Sequence, residues 1–175
     1  MELRTERLLL RSFTREDLEV LRTLAQEKNN DPAAKWDLPW PSDRDGLKGL
    51  LDWIVENETF LAVFPAGEAS VAGFVAMDPT GNEREWNLGY FLSPRCRGRG
   101  YAKEACTALL RVAFDKLGAD RIVAGTVREN QSSVRLLERL GFREAEMPPA
   151  VLADSPVEGT AYFYVLDRAS LAPGL

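Results

Sequence analysis

Between residues 59 and 127 the spacing of the apolar runs changes, and that change limits the folds open to the chain. Three strand-like runs come first: "TFLAVFP" (59–65), "SVAGFVAMDP" (70–79) and "EWNLGYFLSP" (85–94). The turn-forming stretches "PAGEA" and "DPTGNER" separate them. Connections this short favour antiparallel pairing, because a parallel pair needs a crossover of about a dozen residues or more. Such a crossover comes next. "YAKEACTALLRVAFDKLG" (101–118) reads as a helix with Ala102, Ala105, Leu109, Val112, Ala113 and Leu117 facing in and Gly118 at its end. "DRIVAGTV" (120–127) then reads as a strand. An antiparallel meander feeding a strand–helix–strand unit predicts an α/β fold with a mixed central sheet and helices on both faces.

The flanking segments extend this pattern. "RLLLRSF" reads as a first strand, and "TREDLEVLRTLAQEK" as a helix with Thr14 as N-cap and Leu18, Leu21, Leu24 and Ala25 on one face. "LKGLLDWIVENE" has Leu47, Leu50, Leu51 and Ile54 at helical spacing. "NQSSVRLLERLGF" reads as a short helix closed by Gly141, and "TAYFYVLDR" as a late strand. No repeat or linker interrupts the 175 residues, so one domain spanning 1–175 is expected.

Charge and residue content exclude several function classes. A net charge of −5 argues against a general nucleic-acid binder, which needs many Lys and Arg contacts to phosphate. There is no histidine, so Ser-His and Cys-His catalysis are ruled out. With two cysteines besides, no metal site is expected. Those cysteines, Cys96 and Cys106, do not suggest a disulfide scaffold, and a cytoplasmic setting is expected. No apolar run approaches a membrane span, and charges inside "MELRTERLLLRSF" argue against a signal peptide.

Against that acidic background "SPRCRGRGYAKEA" (93–105) concentrates Arg95, Arg97, Arg99 and Lys103 around Gly98 and Gly100. The segment lies between a strand end and a helix start, where free N–H groups and the helix dipole favour an anion. Glycines let the backbone approach a phosphate, and arginines add charge-assisted donors. A pyrophosphate fits this chemistry. A P-loop is excluded because Tyr101 follows Gly100. A dinucleotide fingerprint lacks its third glycine, where Lys103 stands, and Asp120 precedes its strand instead of ending it. Further on, Asn130 and Ser133 share one face of an opening helix. Taken alone, simple N-capping by Asn130 followed by an exposed Ser133 is the better account.

Taken together, "Arg97-Gly98-Arg99-Gly100-Tyr101-Ala102" and "Asn130-x-x-Ser133…Leu137-Glu138-Arg139-Leu140-Gly141-Phe142" resemble the GNAT superfamily of acyl-CoA-dependent N-acyltransferases. The opening "RTERLLLRSFTREDLEVL" and the segment "NLGYFLSPRCRGRGYAKEA" are similar to its ribosomal-protein N-terminal acetyltransferase (RimJ/RimL-type) branch. The resemblance implies acetyl-CoA as acyl donor, with no metal. Backbone groups of Phe91 and Leu92 would pair with the pantetheine arm, and the N–H groups of Arg97, Gly98, Arg99, Gly100, Tyr101 and Ala102 would cradle the pyrophosphate. Asn130 would hold the pantetheine, Ser133 would lie near the sulfur, and Arg139 or Lys103 would reach the adenosine-side phosphate. Arg95 also begins an R-x-x-G-x-G run with Gly98 and Gly100; the Arg97 register is preferred because it sets Ala102 at the helix start.

The implied reaction is direct attack of an amine on the acetyl carbonyl. Backbone N–H near Phe91–Leu92 would stabilise the oxyanion and Ser133 would donate to the leaving thiolate. In this branch an acidic residue often precedes the "Ile/Leu-Gly-Tyr" segment; here that position is Asn87. Glu85, on the same strand face, is the candidate base through water, with a solvated strand carboxylate the alternative, and an amine already deprotonated by solvent needs no strong base. The acceptor is an amine, either a small molecule or a protein N-terminus. Trp36, Trp40 and Trp53 are pocket candidates, with the core the preferred place for Trp53, and Asp37, Asp43, Asp45, Asp154 and Glu158 are either contacts for a cation or simply solvated loop residues. A non-catalytic acyl-CoA sensor, transfer of another acyl group such as succinyl, and a dinucleotide oxidoreductase stand as alternatives. A monomer or a homodimer, with no nucleic-acid or membrane partner, is expected.

Overall fold

The computed structural model describes residues 1–146 and 161–170. Asp154 and Glu158 lie outside the described residues. Among the described residues eight strands form one sheet: β1 (Glu2–Arg4), β2 (Leu8–Ser12), β3 (Phe60–Pro65), β4 (Gly73–Pro79), β5 (Glu85–Leu92), β6 (Arg121–Val127), β7 (Arg143–Ala145) and β8 (Ala161–Asp167). Their spatial order is β1-β2-β3-β4-β5-β6-β8-β7. Neighbouring strands are antiparallel except β5 and β6, which run parallel across the helical connection. The mixed α/β sheet expected from the change in connection length is what forms.

Four α-helices among the described residues cover the sheet: α1 (Leu18–Asn29), α2 (Arg44–Glu56), α3 (Tyr101–Asp115) and α4 (Gln131–Arg139). Strand alternation divides the core. Phe60, Ala62, Phe64, Phe74 and Ala76 pack with Leu21, Leu24, Leu47, Leu51 and Ile54 of α1 and α2. Leu61, Val63, Val75 and Met77 turn the other way, onto Leu109, Leu110, Ala113 and Leu137 of α3 and α4. With both faces covered, β3 is buried at all six positions, which is why its sequence is apolar without alternation. No helix among the described residues is long and apolar enough to cross a membrane.

Three details differ from the sequence expectations. The first strand is a hairpin, because Glu2–Arg4 folds back on Leu9–Arg11; a three-residue strand carries no periodic signal. Helix α1 begins at Leu18, and Thr14 does not cap it. The Asp17 carboxylate instead accepts from the Thr14 N–H (2.8 Å) and from both terminal nitrogens of Arg11 (2.7 Å each). Trp53 is 53% exposed, meeting Phe60 edge-on at 6.1 Å.

Candidate active site

The functional geometry begins with the way β5 and β6 part. They pair only at Glu85–Arg121, Trp86–Ile122 and Asn87–Val123. Beyond that, β5 stays on β4 as far as Leu92, and β6 stays on β8 as far as Val127. The sheet therefore opens into a wedge of about 850 Å³, with one wall from β5 and α3 and the other from β6 and α4. Two bonds fix which backbone groups face it. Thr80 donates to the Glu85 carbonyl and Ser93 donates to the Ala72 carbonyl, so odd-numbered residues of β5 turn their N–H and C=O toward β4. Tyr90 and Leu92 therefore present theirs to the open side, and Phe91 does not. Of the expected backbone pair, Leu92 faces the wedge and Tyr90 takes the place of Phe91. An exposed edge of this kind accepts an extended ligand as an added strand.

The glycine-rich loop closes one end of the wedge. Gly98 (φ 75°) and Gly100 (φ 80°) both adopt left-handed backbone, and Gly100 is the N-cap of α3 without any side-chain cap. The first helical bond runs from Glu104 N–H to Gly100 C=O. Among the described residues, none of the backbone N–H groups from Gly98 to Lys103 has an acceptor, whereas that of Arg97 donates to the Pro94 carbonyl (3.3 Å). Six open donors at a helix N-terminus suit a diphosphate. Gly98, Gly100, Tyr101 and Ala102 line the wedge; the Arg99 side chain does not.

The four cations of the segment divide into two kinds. Arg95 is structural: it donates to Glu27 (2.9 Å) and to the Val71 carbonyl (2.5 Å). Arg97 bridges. Its Nε donates to the Leu92 carbonyl (3.0 Å), and its Nη2 meets Asp31 Oδ2 at 2.5 Å. That oxygen lacks an aligned hydrogen bond, so the contact is an ion pair rather than a directed bond. The Asp31 side chain is 2% exposed, and its other oxygen accepts from Ala33 N–H (2.7 Å), starting the 3-10 turn Pro32–Trp36. Arg99, Lys103 and Arg139 have no ion pair among the described residues. Lys103 and Arg139 line the wedge.

Sequence reasoning missed Arg7. Its Nη1 donates to the Arg99 carbonyl (2.8 Å), its Nε to Glu104 (2.8 Å), and its guanidinium lies 5.2 Å from the Tyr101 ring centroid. Burial alone would raise the Glu104 carboxyl, but donors from Thr5 and Arg7 outweigh it and hold the group below the usual carboxylate range. More than ninety positions separate Arg7 from Glu104, so no local pattern announces the brace.

On the far wall Asn130 caps α4. Its Oδ1 accepts from Ser133 N–H (3.3 Å) and Ser132 Oγ (2.8 Å). Capping leaves the Nδ2 donors without an acceptor among the described residues, and Asn130 lines the wedge. Ser133 is buried, and its Oγ lies 2.5 Å from the Tyr90 hydroxyl across the cleft. Burial pushes the Tyr90 hydroxyl well above its ordinary value. Strand alternation was the available signal for Tyr90, since it shares the face of Trp86, Leu88 and Leu92. Cys106, in the same core, is pushed up by burial to about 12, which keeps it a neutral thiol.

Glu85 is not brought to these groups. It sits at the paired end of the wedge, where its carboxylate accepts from Thr80 Oγ1 (2.9 Å) and Asn82 Nδ2 (2.7 Å) and closes the β4–β5 turn. Five residues of extended chain, roughly 16 Å, separate it from Tyr90. Asn87 does line the wedge. Of the acceptor candidates, Trp36 and Asp37 line it, while Trp40 stacks on Phe74 (5.0 Å) within the aromatic core. Asp37 is met by the buried Lys28 ammonium at 2.8 Å. Asp43 caps α2 through Gly46 N–H (2.9 Å); neither it nor Asp45 lines the wedge.

Known proteins agree with this architecture. The ribosomal-protein-S5-alanine acetyltransferase of Vibrio fischeri superposes with a TM-score of 0.80 over 99% of this chain and 100% of its own, at 18% identity. The spermidine N-acetyltransferase of Vibrio cholerae, solved with CoA and spermine, gives 0.77 over 95% and 98%, at 20% identity. These likenesses concern the fold. In sequence, the uncharacterized N-acetyltransferase p20 of Bacillus licheniformis is 30% identical over 149 residues, 80% of this chain and 81% of its own. The N-acetyltransferase YnaD of Bacillus subtilis is 24% identical over 144 residues, 82% and 83% of the two chains. The acetyltransferase (GNAT) domain family matches residues 7–143, a span that runs from Arg7 of the loop brace past Ser133. With the fold, the glycine loop and the sequence relatives in agreement, this chain belongs to the GNAT acetyltransferase family and is an N-acetyltransferase.

Proposed function

We propose that the protein transfers the acetyl group of acetyl-CoA directly to a primary amine within a ternary complex. The observation that carries the reading is the parting of β5 and β6, which leaves the Tyr90 backbone groups and the Leu92 N–H without a strand partner beside six open N–H donors at the start of α3. In this reading the diphosphate lies on the N–H groups from Gly98 to Lys103, with Arg99, Lys103 and Arg139 supplying charge. The pantetheine arm runs along the open edge of β5 and takes a hydrogen bond from Asn130 Nδ2. The Tyr90 or Leu92 N–H meets the developing oxyanion, and Ser133 donates to the thiolate. The amine nitrogen bonds to the acetyl carbon, the C–S bond breaks, and the nitrogen loses one proton while the sulfur gains one. Asn87 lines the wedge where a carboxylate base would otherwise stand, so a solvent-deprotonated amine is the reacting species.

For the acceptor, the charge of the wall favours a peptide N-terminus or a small monoamine over a polyamine. Asp31 and Asp37 both line that wall, and each is already matched by a cation, Arg97 and Lys28 respectively. The test is thiol release from acetyl-CoA with a library of N-terminal peptides, monoamines and polyamines. Intersecting initial-rate patterns and turnover with a monoamine or peptide are expected. Parallel patterns with a trapped acetyl-enzyme would overturn direct transfer, saturation by spermidine alone would overturn the acceptor assignment, and no release with any amine would return the sensor reading.

A further inference from the structure

The Tyr90 hydroxyl takes no part in the acetyl transfer proposed above, yet it reaches from β5 to Ser133 of α4, between the two walls. Either oxygen could supply the proton of this 2.5 Å contact, and satisfaction decides between them. Tyr90 packs into the α3–α4 core, and no other acceptor for its hydroxyl exists among the described residues. Tyr90 as a residue is only partly buried, but its hydroxyl end is the desolvated part, so if Ser133 donated the tyrosine proton would lie out of water without a partner, an arrangement disfavoured roughly tenfold or more. If Tyr90 donates, both oxygens are satisfied and the Ser133 proton is free to turn into the wedge that Ser133 lines.

We propose that Tyr90 is a positioning residue for acetyl transfer, its hydroxyl donating to Ser133 Oγ so that the Ser133 O–H is aimed at the leaving sulfur. This rests on the Ser133 role proposed above. Tyr90 keeps its proton throughout. As the C–S bond breaks, the sulfur leaves as a thiolate accepting a hydrogen bond from Ser133, and solvent then protonates it. Burial raises Tyr90 away from a thiol's ordinary value of about 8.5, so direct proton transfer from tyrosine to sulfur runs uphill. The short contact also ties the two walls of the wedge together where the thioester would lie, since β5 and β6 share no hydrogen bond at that level.

The experiment is a double-mutant cycle of Tyr90→Phe and Ser133→Ala on the full chain, read as kcat and the KM for acetyl-CoA with one good amine acceptor. Tyr90→Phe is expected to lower kcat on the order of tenfold with the KM changed less than about twofold, the size of one lost net hydrogen bond. In the Ser133→Ala background the same change is expected to have no further effect. Wild-type kcat in Ser133→Ala would sink the Ser133 assignment of the proposed function, and this inference with it. A low kcat in Ser133→Ala beside a wild-type kcat in Tyr90→Phe would sink the Tyr90 role alone, as would effects that multiply. Site-specific 3-fluorotyrosine at position 90, which keeps the ring and the donor but acidifies the phenol, gives a second readout. Unchanged kcat is expected; a kcat that follows phenol acidity would overturn positioning in favour of proton transfer from Tyr90.

Discussion

Gly98 and Gly100 share a backbone conformation but not a neighbourhood, and the pair offers a controlled test of the loop. Their φ values are nearly the same, 75° and 80°, so alanine at either meets the same left-handed penalty of about 1–2 kcal/mol. Their surroundings differ. A Cβ at Gly98 meets nothing within 4 Å, whereas one at Gly100 lies 3.3 Å from Arg7 Nη2. That nitrogen is held 2.6 Å from Glu104, and the neighbouring Nη1 is 2.8 Å from the Arg99 carbonyl, so Arg7 cannot yield without loosening its brace. Arg7 is nearly half exposed, which discounts the ion pair, and the net loss is about 1 kcal/mol. Gly98→Ala is thus expected to cost about 1–2 kcal/mol and Gly100→Ala about 2–3 kcal/mol. For a chain of this length that corresponds to about 2–8 °C and about 4–12 °C in Tm. Thermal unfolding of the free protein, in wild-type and Arg7→Ala backgrounds, reads both. The excess at Gly100 should vanish once Arg7 is gone. Equal shifts in the wild-type background, or an excess that survives Arg7→Ala, would refute the brace.

Two further substitutions separate roles that overlap in one side chain. Asn130→Asp keeps the oxygen that caps α4 and removes the Nδ2 donors, so the KM for acetyl-CoA should rise about tenfold while Tm holds; a parallel loss of Tm would mean the side chain only caps. Asp78, opposite Asn87 in the β4–β5 register, has its carboxyl raised by burial, which outweighs the hydrogen bond from Asn57 (2.5 Å). A raised folded pKa means stability present below the unfolded value, about 4, and lost as pH rises through the folded one. Asp78→Asn removes that loss, so it should raise Tm at neutral pH, with the gain shrinking as pH falls through the raised folded value toward about 4 and gone below it; a gain that is independent of pH would contradict the burial argument.

Much of the fold was legible because it rests on local physics. Connection length separated antiparallel from parallel pairing, and apolar periodicity found α2 and α3 with their buried faces. The site was legible where backbone chemistry makes it: Gly98 and Gly100 announce left-handed turns ahead of a helix. What stayed hidden depends on partners distant in sequence. The point at which β5 leaves β6 is set by packing across the sheet, and it decides that Tyr90 rather than Phe91 offers its backbone to the cleft. Glu85 shares a face with Asn87, as alternation requires, but a strand face says nothing about distance along it, and the turn residues Thr80 and Asn82 hold the carboxylate. Trp40 and Trp53 likewise depart from their expected places: the loop tryptophan joins the aromatic stack and the helical one faces solvent.

The basic segment in an acidic chain also has a fuller physical account than its arginine count suggests. At physiological ionic strength charges are screened over about 8 Å, so a net charge of −5 has little influence on what one loop binds. The carboxylates that the fold brings against the loop decide it, and three are drawn in: Glu27, Asp31 and Glu104. Each is met by an arginine, Arg95 at 2.9 Å, Arg97 at 2.5 Å and Arg7 at 2.6 Å. These arginines do not need to touch a phosphate to favour one. By neutralising the nearest anions they leave the helix N-terminus, Arg99 and Lys103 as the uncompensated field at the wedge. Arg97 does one thing more. Because it holds both the Leu92 carbonyl and Asp31, a single guanidinium joins the edge on which the donor would lie to the turn that carries Trp36 and leads to Asp37 on the acceptor side. Its rigid fork suits that two-sided contact in a way a lysine ammonium would not.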